Sequence, residues 1–389
     1  MTKAMKRMSA RWDIFCKVVD NFGDAGVAWR LARELADEHS LAVRLWIDDT
    51  RSLARMSPGV DANAEAQRHA DVEIRRWRES FDETAPADVV VEAFGCGLPE
   101  AYTRAMAERV PAPIWFVLEY LSAEAWIDGA HGLPSPHPFL PLTRRFWFPG
   151  FTPASGGLLR ERGLFEARDA FQRDARARAD LWSSLSIPAP ASGECRASLF
   201  CYPDPALPAL LDAWSDGDDA MSCIVPEGVA AGALDAWTGG NVPHSGRPVS
   251  RGRLTLHAIP FQSQQAYDRL LWACDINFVR GEDSFVRAQW AARPFVWHIY
   301  PQVDDAHQKK LDAFVDRYAA GLDPAAGTAV RRLFRAWNDP AEAKAIDGAW
   351  RAFAGARPTL LRHAAAWSRQ MAELPELASG LAKAALDRI

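Results

Sequence analysis

The sequence predicts an α/β protein of two Rossmann-like domains facing a central cleft, closed by a helical C-terminus. Three observations carry this. Short apolar runs alternate with helix-spaced segments, once in each half of the chain, as in parallel βαβ units whose strands are buried on both faces. A proline-rich and then charged stretch separates the two series. At 389 residues the chain is also too long for one hydrophobic core and long enough for two.

The elements follow in order. Residues 14–19 are a short apolar run leading into Asp20-Asn-Phe-Gly-Asp-Ala-Gly26, and residues 27–38 carry Val27, Leu31 and Leu35 on one helical face. Residues 41–47 form a second run, ending in Asp48 and Asp49; 89–91 and 114–118 are two more, each leading into a loop and a helix. Prolines crowd residues 133–139 and 148–153, so a long structured loop or a domain edge is expected there, not a helix or a central strand. Residues 160–185 are charged and helix-prone, and 187–193 read as a linker. In the second half, strands are expected at 197–202, 221–225, 254–259, 275–280 and 294–300. Helices are expected from about 264 to 273 and through 291. From Asp304 onward the pattern is helical, broken at Pro324, Pro340, Pro358 and Pro375. The domains are therefore drawn at 11–185 and 194–358, with the last helix, about 360–389, packing back on the first.

Composition narrows the function classes. Hydrophobic residues make up 49% and charged residues 24%, which excludes a disordered or collagen-like chain. Lys+Arg 45 against Asp+Glu 50 leaves a net charge of −5, so no global basic field exists for direct nucleic-acid or membrane binding. The six cysteines form no CxxC pair and lie mostly in apolar runs, where reduced core thiols are expected. The first residues are charged with no apolar segment after them, and no apolar run reaches membrane-spanning length, so a soluble, cytoplasmic enzyme is expected. Sixteen tryptophans are many for this length, and composition does not say why.

The first loop, Gly23-Asp24-Ala25-Gly26, sits where a strand meets a helix, a place that ordinarily invites a phosphate. It is not G-x-G-x-x-G, and it carries Asp20 and Asp24, which would repel a pyrophosphate. The loop reads as built for a cationic or proton-donating ligand. The structural alternative is that Asp24 caps the helix and Asp20 makes an Asx-turn.

The second loop, Arg280-Gly-Glu-Asp-Ser-Phe285, again joins a strand to a helix. The N–H groups of Asp283, Ser284 and Phe285 at the helix N-terminus suit a phosphate, Arg280 offers counter-charge and Gly281 permits the turn. Glu282 is placed for sugar hydroxyls. Tyr202 and Phe261 fall at neighbouring strand ends, where rings can stack on a base. The structural alternative is capping by Asp283 or Ser284, with Phe261 in the core.

Phe15-Cys-Lys-Val-Val-Asp-Asn-Phe-Gly-Asp-Ala-Gly-Val-Ala-Trp-Arg-Leu-Ala-Arg33 resembles the N-terminal signature of the EarP family, protein-arginine rhamnosyltransferases that modify translation elongation factor P. Pro260-Phe-Gln-Ser-Gln264 and Arg280-Gly-Glu-Asp-Ser-Phe-Val-Arg-Ala-Gln-Trp290 resemble that family's donor-binding region. The resemblance implies a GT-B fold, with an N-terminal acceptor-binding domain and a C-terminal nucleotide-sugar-binding domain. It implies inverting transfer of L-rhamnose from dTDP-β-L-rhamnose to an arginine of elongation factor P, with no metal and no cofactor beyond the donor substrate. By motif position Asp24 matches the general base, Asp20 the second essential aspartate and Glu282 a residue important for activity. Tyr202, Phe261, Gln264, Asp283 and Ser284 match donor-binding positions, joined by Phe200 and Arg280; Asn21 is counted among the substrate-binding positions. Ala25 stands where a larger apolar residue is common in the family.

Rival readings come from other letters. Asp48 and Asp49, after the second strand, are spaced as the ribose-binding acids of a dinucleotide oxidoreductase. A non-enzymatic binder of a translation factor would need neither the donor loop nor Asp24. Asp216-Gly-Asp-Asp219 offers the letters of a metal-binding DxD but reads as a solvated turn, and His131 and His137 lack a partner set for a metal.

Overall fold

Parallel pairing of apolar strands dominates both sheets of the computed structural model, which describes residues 10–81, 84–302 and 305–388. The chain divides into two compact units, one running up to Arg162 and resuming at Leu374, the other Gly163–Glu373. The boundary thus falls earlier than the expected linker at 187–193. It also leaves most of the segment from about 360 in the second unit, so only the last helix returns to the first.

The first unit contains β1 (Arg11–Cys16), α1 (Asn21–His39), β2 (Ala42–Ile47), α2 (Thr50–Met56), β3 (Ala66–His69), β4 (Val72–Arg76), β5 (Val89–Ala93), α3 (Glu100–Glu108), β6 (Ile114–Leu118), α4 (Ile127–Ala130), β7 (Pro134–Pro136) and β8 (Thr143–Trp147). The sheet order is β3-β4-β2-β1-β5-β6-β8-β7. β1 is central: Ile14 lies level with Leu45 on one side and Val91 on the other, and Ile14 and Phe15 are fully buried. β3 and β7 pair antiparallel at the two edges. β3 and β4 escape the sequence pattern because an edge hairpin is half solvated and needs no apolar run. β8 was hidden by its proline-rich flanks; it contains no proline itself, and those prolines form the edge strand β7, where a missing N–H costs no ladder bond.

The second unit contains α5 (Leu164–Arg173), α6 (Ala175–Ser184), β9 (Cys195–Leu199), α7 (Leu207–Ser215), β10 (Met221–Pro226), α8 (Ala231–Thr238), β11 (Val249–Arg251), β12 (Leu254–Ile259), α9 (Gln264–Ala273), β13 (Ile276–Arg280), α10 (Asp283–Trp290), β14 (Phe295–His298), α11 (Ala306–Ala319), α12 (Pro324–Asn338), α13 (Ile346–Gly355) and α14 (Arg357–Ala372). Its sheet order is β11-β12-β10-β9-β13-β14. The prolines flagged in the helical region punctuate it: Pro324 and Pro358 stand in the first turns of α12 and α14, with Asp323 capping the N–H groups of Ala325 and Ala326.

The chain returns to the first unit as α15 (Leu377–Leu386), which packs on α1. Gly157 has φ +75° and lies so close to the Pro375 carbonyl that any side chain would collide with it. A bridge between Leu158 and Glu376 completes the crossing.

Trp77, Trp126 and Trp237 apart, every tryptophan is buried, which answers the compositional puzzle: the tryptophans fill cores. In the second unit Trp214, Phe278, Trp337 and Trp350 meet edge-on, and Phe285 stacks on Trp297 at 3.8 Å. Truncating such a residue costs about 3–5 kcal/mol. The six cysteines are free thiols, and all except Cys96 are buried.

Candidate active site

In each sheet the strand order reverses at one strand, β1 in the first and β9 in the second, and α/β sheets bind ligands beyond the carboxyl ends of the strands at such a point. Both candidate loops lie there.

In the first unit the helix begins at Asn21, earlier than the expected residue 27, so Gly23, Asp24 and Gly26 are helical. Two glycines in one turn carry a propensity cost of about 1 kcal/mol each, which is why apolar spacing alone missed that turn. The capping alternative does not hold in that form. Asp20 occupies the N-cap position but its side chain caps nothing. Asp24, one turn in, accepts hydrogen bonds at Oδ2 from the backbone N–H of Val19 (2.8 Å) and Asp20 (2.9 Å). Asp20 and Asp24 are both buried, while Asn21 is exposed. Burial pushes the Asp24 carboxyl above its ordinary value; the two N–H groups and a hydrogen bond with Tyr120 oppose that shift, and Asp48 adds to it. The result is a desolvated carboxylate at a helix N-terminus with strengthened basicity, suited to hold or take a proton from a cation.

The acids of the oxidoreductase reading serve the backbone. Asp48 accepts from Val18 and Asp49 N–H, and Asp49 caps α2 through Arg51 and Ser52 N–H. Asp216–Asp219 form an exposed turn. His131 and His137 each accept from backbone N–H groups, and no cluster of three or more potential metal ligands occurs among the described residues.

In the second unit the predicted aromatic residues come together around Arg280. Its guanidinium lies 4.5 Å from the Phe200 ring centre and 4.6 Å from that of Tyr202, and donates to the Cys201 carbonyl. Phe261 meets Phe200 edge-on at 6.2 Å. Glu282 occupies the N-cap position of α10 without capping through its side chain, so the capping alternative for Asp283 and Ser284 does not hold. Ser284 instead closes the loop, its Oγ accepting from Arg280 N–H and donating to Arg280 O. Gln264 donates to Asp283 at 3.3 Å, tying the first turn of α9 to that of α10. Arg280 is thus a cation inside an aromatic cluster, beside a helix N-terminus whose N–H groups favour an anion.

Sequence reasoning missed two supporting sets. Phe94 and Tyr120, just past β5 and β6, stack at 4.7 Å, and Tyr120 hydrogen-bonds Asp24. His298 Nδ1 accepts from Tyr202 N–H at 3.3 Å, and its Nε2 lies 3.2 Å from Asp204. The strand-end rule that selected Tyr202 and Phe261 also selects Tyr120; His298, inside a buried strand, gives no such signal.

A family model described as Elongation-Factor P (EF-P) rhamnosyltransferase EarP matches residues 12–385. A protein-arginine rhamnosyltransferase of Pseudomonas putida is 48% identical over 374 residues, covering 96% of this chain and 98% of that protein. A solved structure described as the structural basis for EarP-mediated arginine glycosylation of translation elongation factor EF-P superposes with a TM-score of 0.69 at 36% identity, covering 98% of this chain and 100% of the other. A glycosyltransferase of Rickettsia africae, at 8% identity and TM-score 0.53 with 98% and 100% coverage, shares the fold alone. The paired Rossmann-like units are those of the GT-B class.

Proposed function

The chain belongs to the EarP family, the protein-arginine rhamnosyltransferases of elongation factor P, and from that premise we propose that it moves L-rhamnose from dTDP-β-L-rhamnose to an arginine of elongation factor P in one inverting displacement. The observation that carries the mechanism is the Asp24 carboxylate, buried at the start of α1 and held by two backbone N–H groups.

The chemical difficulty is the nucleophile. A guanidinium stays protonated, with a pKa above about 12, and its lone pairs are delocalised. Attack therefore needs a base that takes the proton as the C–N bond forms and a second acid that fixes the planar cation. Asp24 takes the first role, since burial strengthens it as a base, and Asp20 the second. The new bond joins the guanidine nitrogen to the anomeric carbon, the bond from that carbon to the diphosphate oxygen breaks with its electron pair on dTDP, and the proton ends on Asp24.

In the second unit Phe200, Tyr202 and Phe261 provide a surface for the base. The N–H groups of Asp283, Ser284 and Phe285 and the charge of Arg280 favour the departing diphosphate. Gln264 holds the two helix starts together, and Glu282 is placed for sugar hydroxyls. Asn21 stands beside the acidic pair.

The donor and the stereochemistry are tested together. The glycosylated arginine, released by proteolysis after reaction with dTDP-β-L-rhamnose, should carry an α-linked rhamnose by NMR. A β-linked product, or equal turnover with other dTDP-hexoses, would overturn the reading.

A further inference from the structure

Phe94 adopts φ +59°, a left-handed conformation that costs a bulky residue about 1–2 kcal/mol and persists only where its surroundings impose it. Here they do. Its N–H donates to Leu118 O at 2.6 Å. The turn behind it is fastened by Glu92, which accepts from Gly97 N–H at 2.9 Å and from Trp115 Nε1 at 3.1 Å. The constraint lays the Phe94 ring on Tyr120, centroids 4.7 Å apart and planes 18° from parallel, while the Tyr120 hydroxyl hydrogen-bonds the Asp24 carboxylate. We propose that the Phe94–Tyr120 stack is a positioning device for Asp24, in which strained backbone after β5 fixes one ring so that the other holds the carboxylate in the orientation that receives the acceptor proton. This rests on the reading of Asp24 as the base.

Among the described residues, the Asp24 carboxylate meets the backbone N–H groups of Val19 and Asp20 and side chains from three further elements. Cys16 comes from β1, Asp20 from the turn before α1, Asp48 from the end of β2 and Tyr120 from the segment after β6. Burial and Asp48 raise the carboxyl, and the N–H groups of Asp20 and Val19 and then the Tyr120 hydroxyl lower it. Removing that hydroxyl leaves the raising effects less opposed, so the acidic limb of the kcat profile moves to higher pH. A merely structural role for Tyr120 would leave that limb in place.

The test is Tyr120→Phe, which keeps the stack and deletes the donor, beside Phe94→Gly, which removes the ring and relieves the left-handed backbone. Tyr120→Phe is expected to keep the acceptor KM, lower kcat about tenfold, the worth of one hydrogen bond of about 1.4 kcal/mol, and move the acidic limb upward. Phe94→Gly is expected to do the same to a smaller degree without loss of thermal stability. A kcat and pH profile matching wild type in Tyr120→Phe would overturn the proposal. The Asp24 titration, followed by carboxyl 13C NMR of labelled aspartate, decides the same point without turnover: its midpoint should rise in Tyr120→Phe, and an unchanged midpoint counts against the device. Failure of the wild type to modify elongation factor P would sink the functional reading alone, since the titration still settles whether the pair controls Asp24.

Discussion

A Cβ placed on Gly23 would collide with Oδ2 of Asp20. The carboxylate of Asp20 folds over the first turn of α1 into space that only glycine leaves open, and Gly23 N–H donates to Asp20 O at 2.6 Å in the same turn. Gly23→Ala should therefore displace Asp20 while, with its helical backbone, improving helix propensity by up to about 1 kcal/mol. Expected is a loss of transfer of at least tenfold with an unchanged or raised Tm; retained turnover would show that the position of Asp20 does not matter to the reaction.

Asp24→Asn keeps an oxygen for the N–H groups of Val19 and Asp20 but cannot take a proton. Transfer should fall by about 10²–10⁴-fold, the usual worth of a positioned base, with dTDP-rhamnose affinity unchanged. Stability should move the other way. Burial raises the folded pKa of Asp24, so between the unfolded and folded values the folded chain binds more protons, and stability falls as pH rises through that window. Asn removes this cost: Asp24→Asn should melt higher than wild type at neutral pH, and the gap should close as the pH falls below the folded value. A lower Tm at neutral pH would contradict the assignment.

Tyr202 is held from behind. Burial keeps His298 neutral, its pKa lowered to about 3, and pushes Asp204 up to about 6. Since His298 Nδ1 accepts from Tyr202 N–H, its Nε2 carries the proton toward Asp204. His298→Ala leaves a buried donor and a buried carboxylate without that partner, a loss of about 1–3 kcal/mol. Steady-state kinetics should show the donor KM raised about 5-fold to 100-fold and kcat changed little; an unaffected donor KM would detach the pair from the donor site.

Arg287 and Asp268 form a doubly hydrogen-bonded pair at 2.9 and 2.7 Å, both buried, joining α10 to α9. Asp268→Ala should destabilise by about 3–5 kcal/mol by stranding the guanidinium, and Asp268→Leu combined with Arg287→Met by much less. Denaturant unfolding measures both; a mild single variant would show that the pair is not load-sharing between the two helices.

The strands of both sheets were legible because parallel strands buried on both faces read as continuous apolar runs: 114–118 and 254–259 coincide with β6 and β12. What escaped was solvated or hidden by context, namely the edge hairpin at 66–76 and β8 behind its prolines. The start of α1 is not legible because Gly23, Asp24 and Gly26 look like a loop by their letters, whereas the structure places them in the first turns of the helix. The candidate residues were legible from motif letters, yet the partners that shape them were not. Tyr120 and His298 act through pairings across strands more than 90 residues apart in sequence (Tyr120 with Asp24, His298 with Tyr202), and no local pattern encodes such a contact. By its letters Arg280 offers only counter-charge; the structure sets its guanidinium against the Phe200 and Tyr202 rings.

If Asp24 is the base, this chain joins a deoxyhexose to an arginine of elongation factor P only while that carboxylate is present. Elongation factor P incubated with the protein and dTDP-β-L-rhamnose, digested and sequenced by tandem mass spectrometry, measures it directly. The predicted result is one deoxyhexose on a single arginine, insensitive to EDTA and absent with Asp24→Asn. An unmodified elongation factor P, sugar on another residue type, or full modification by Asp24→Asn would contradict it.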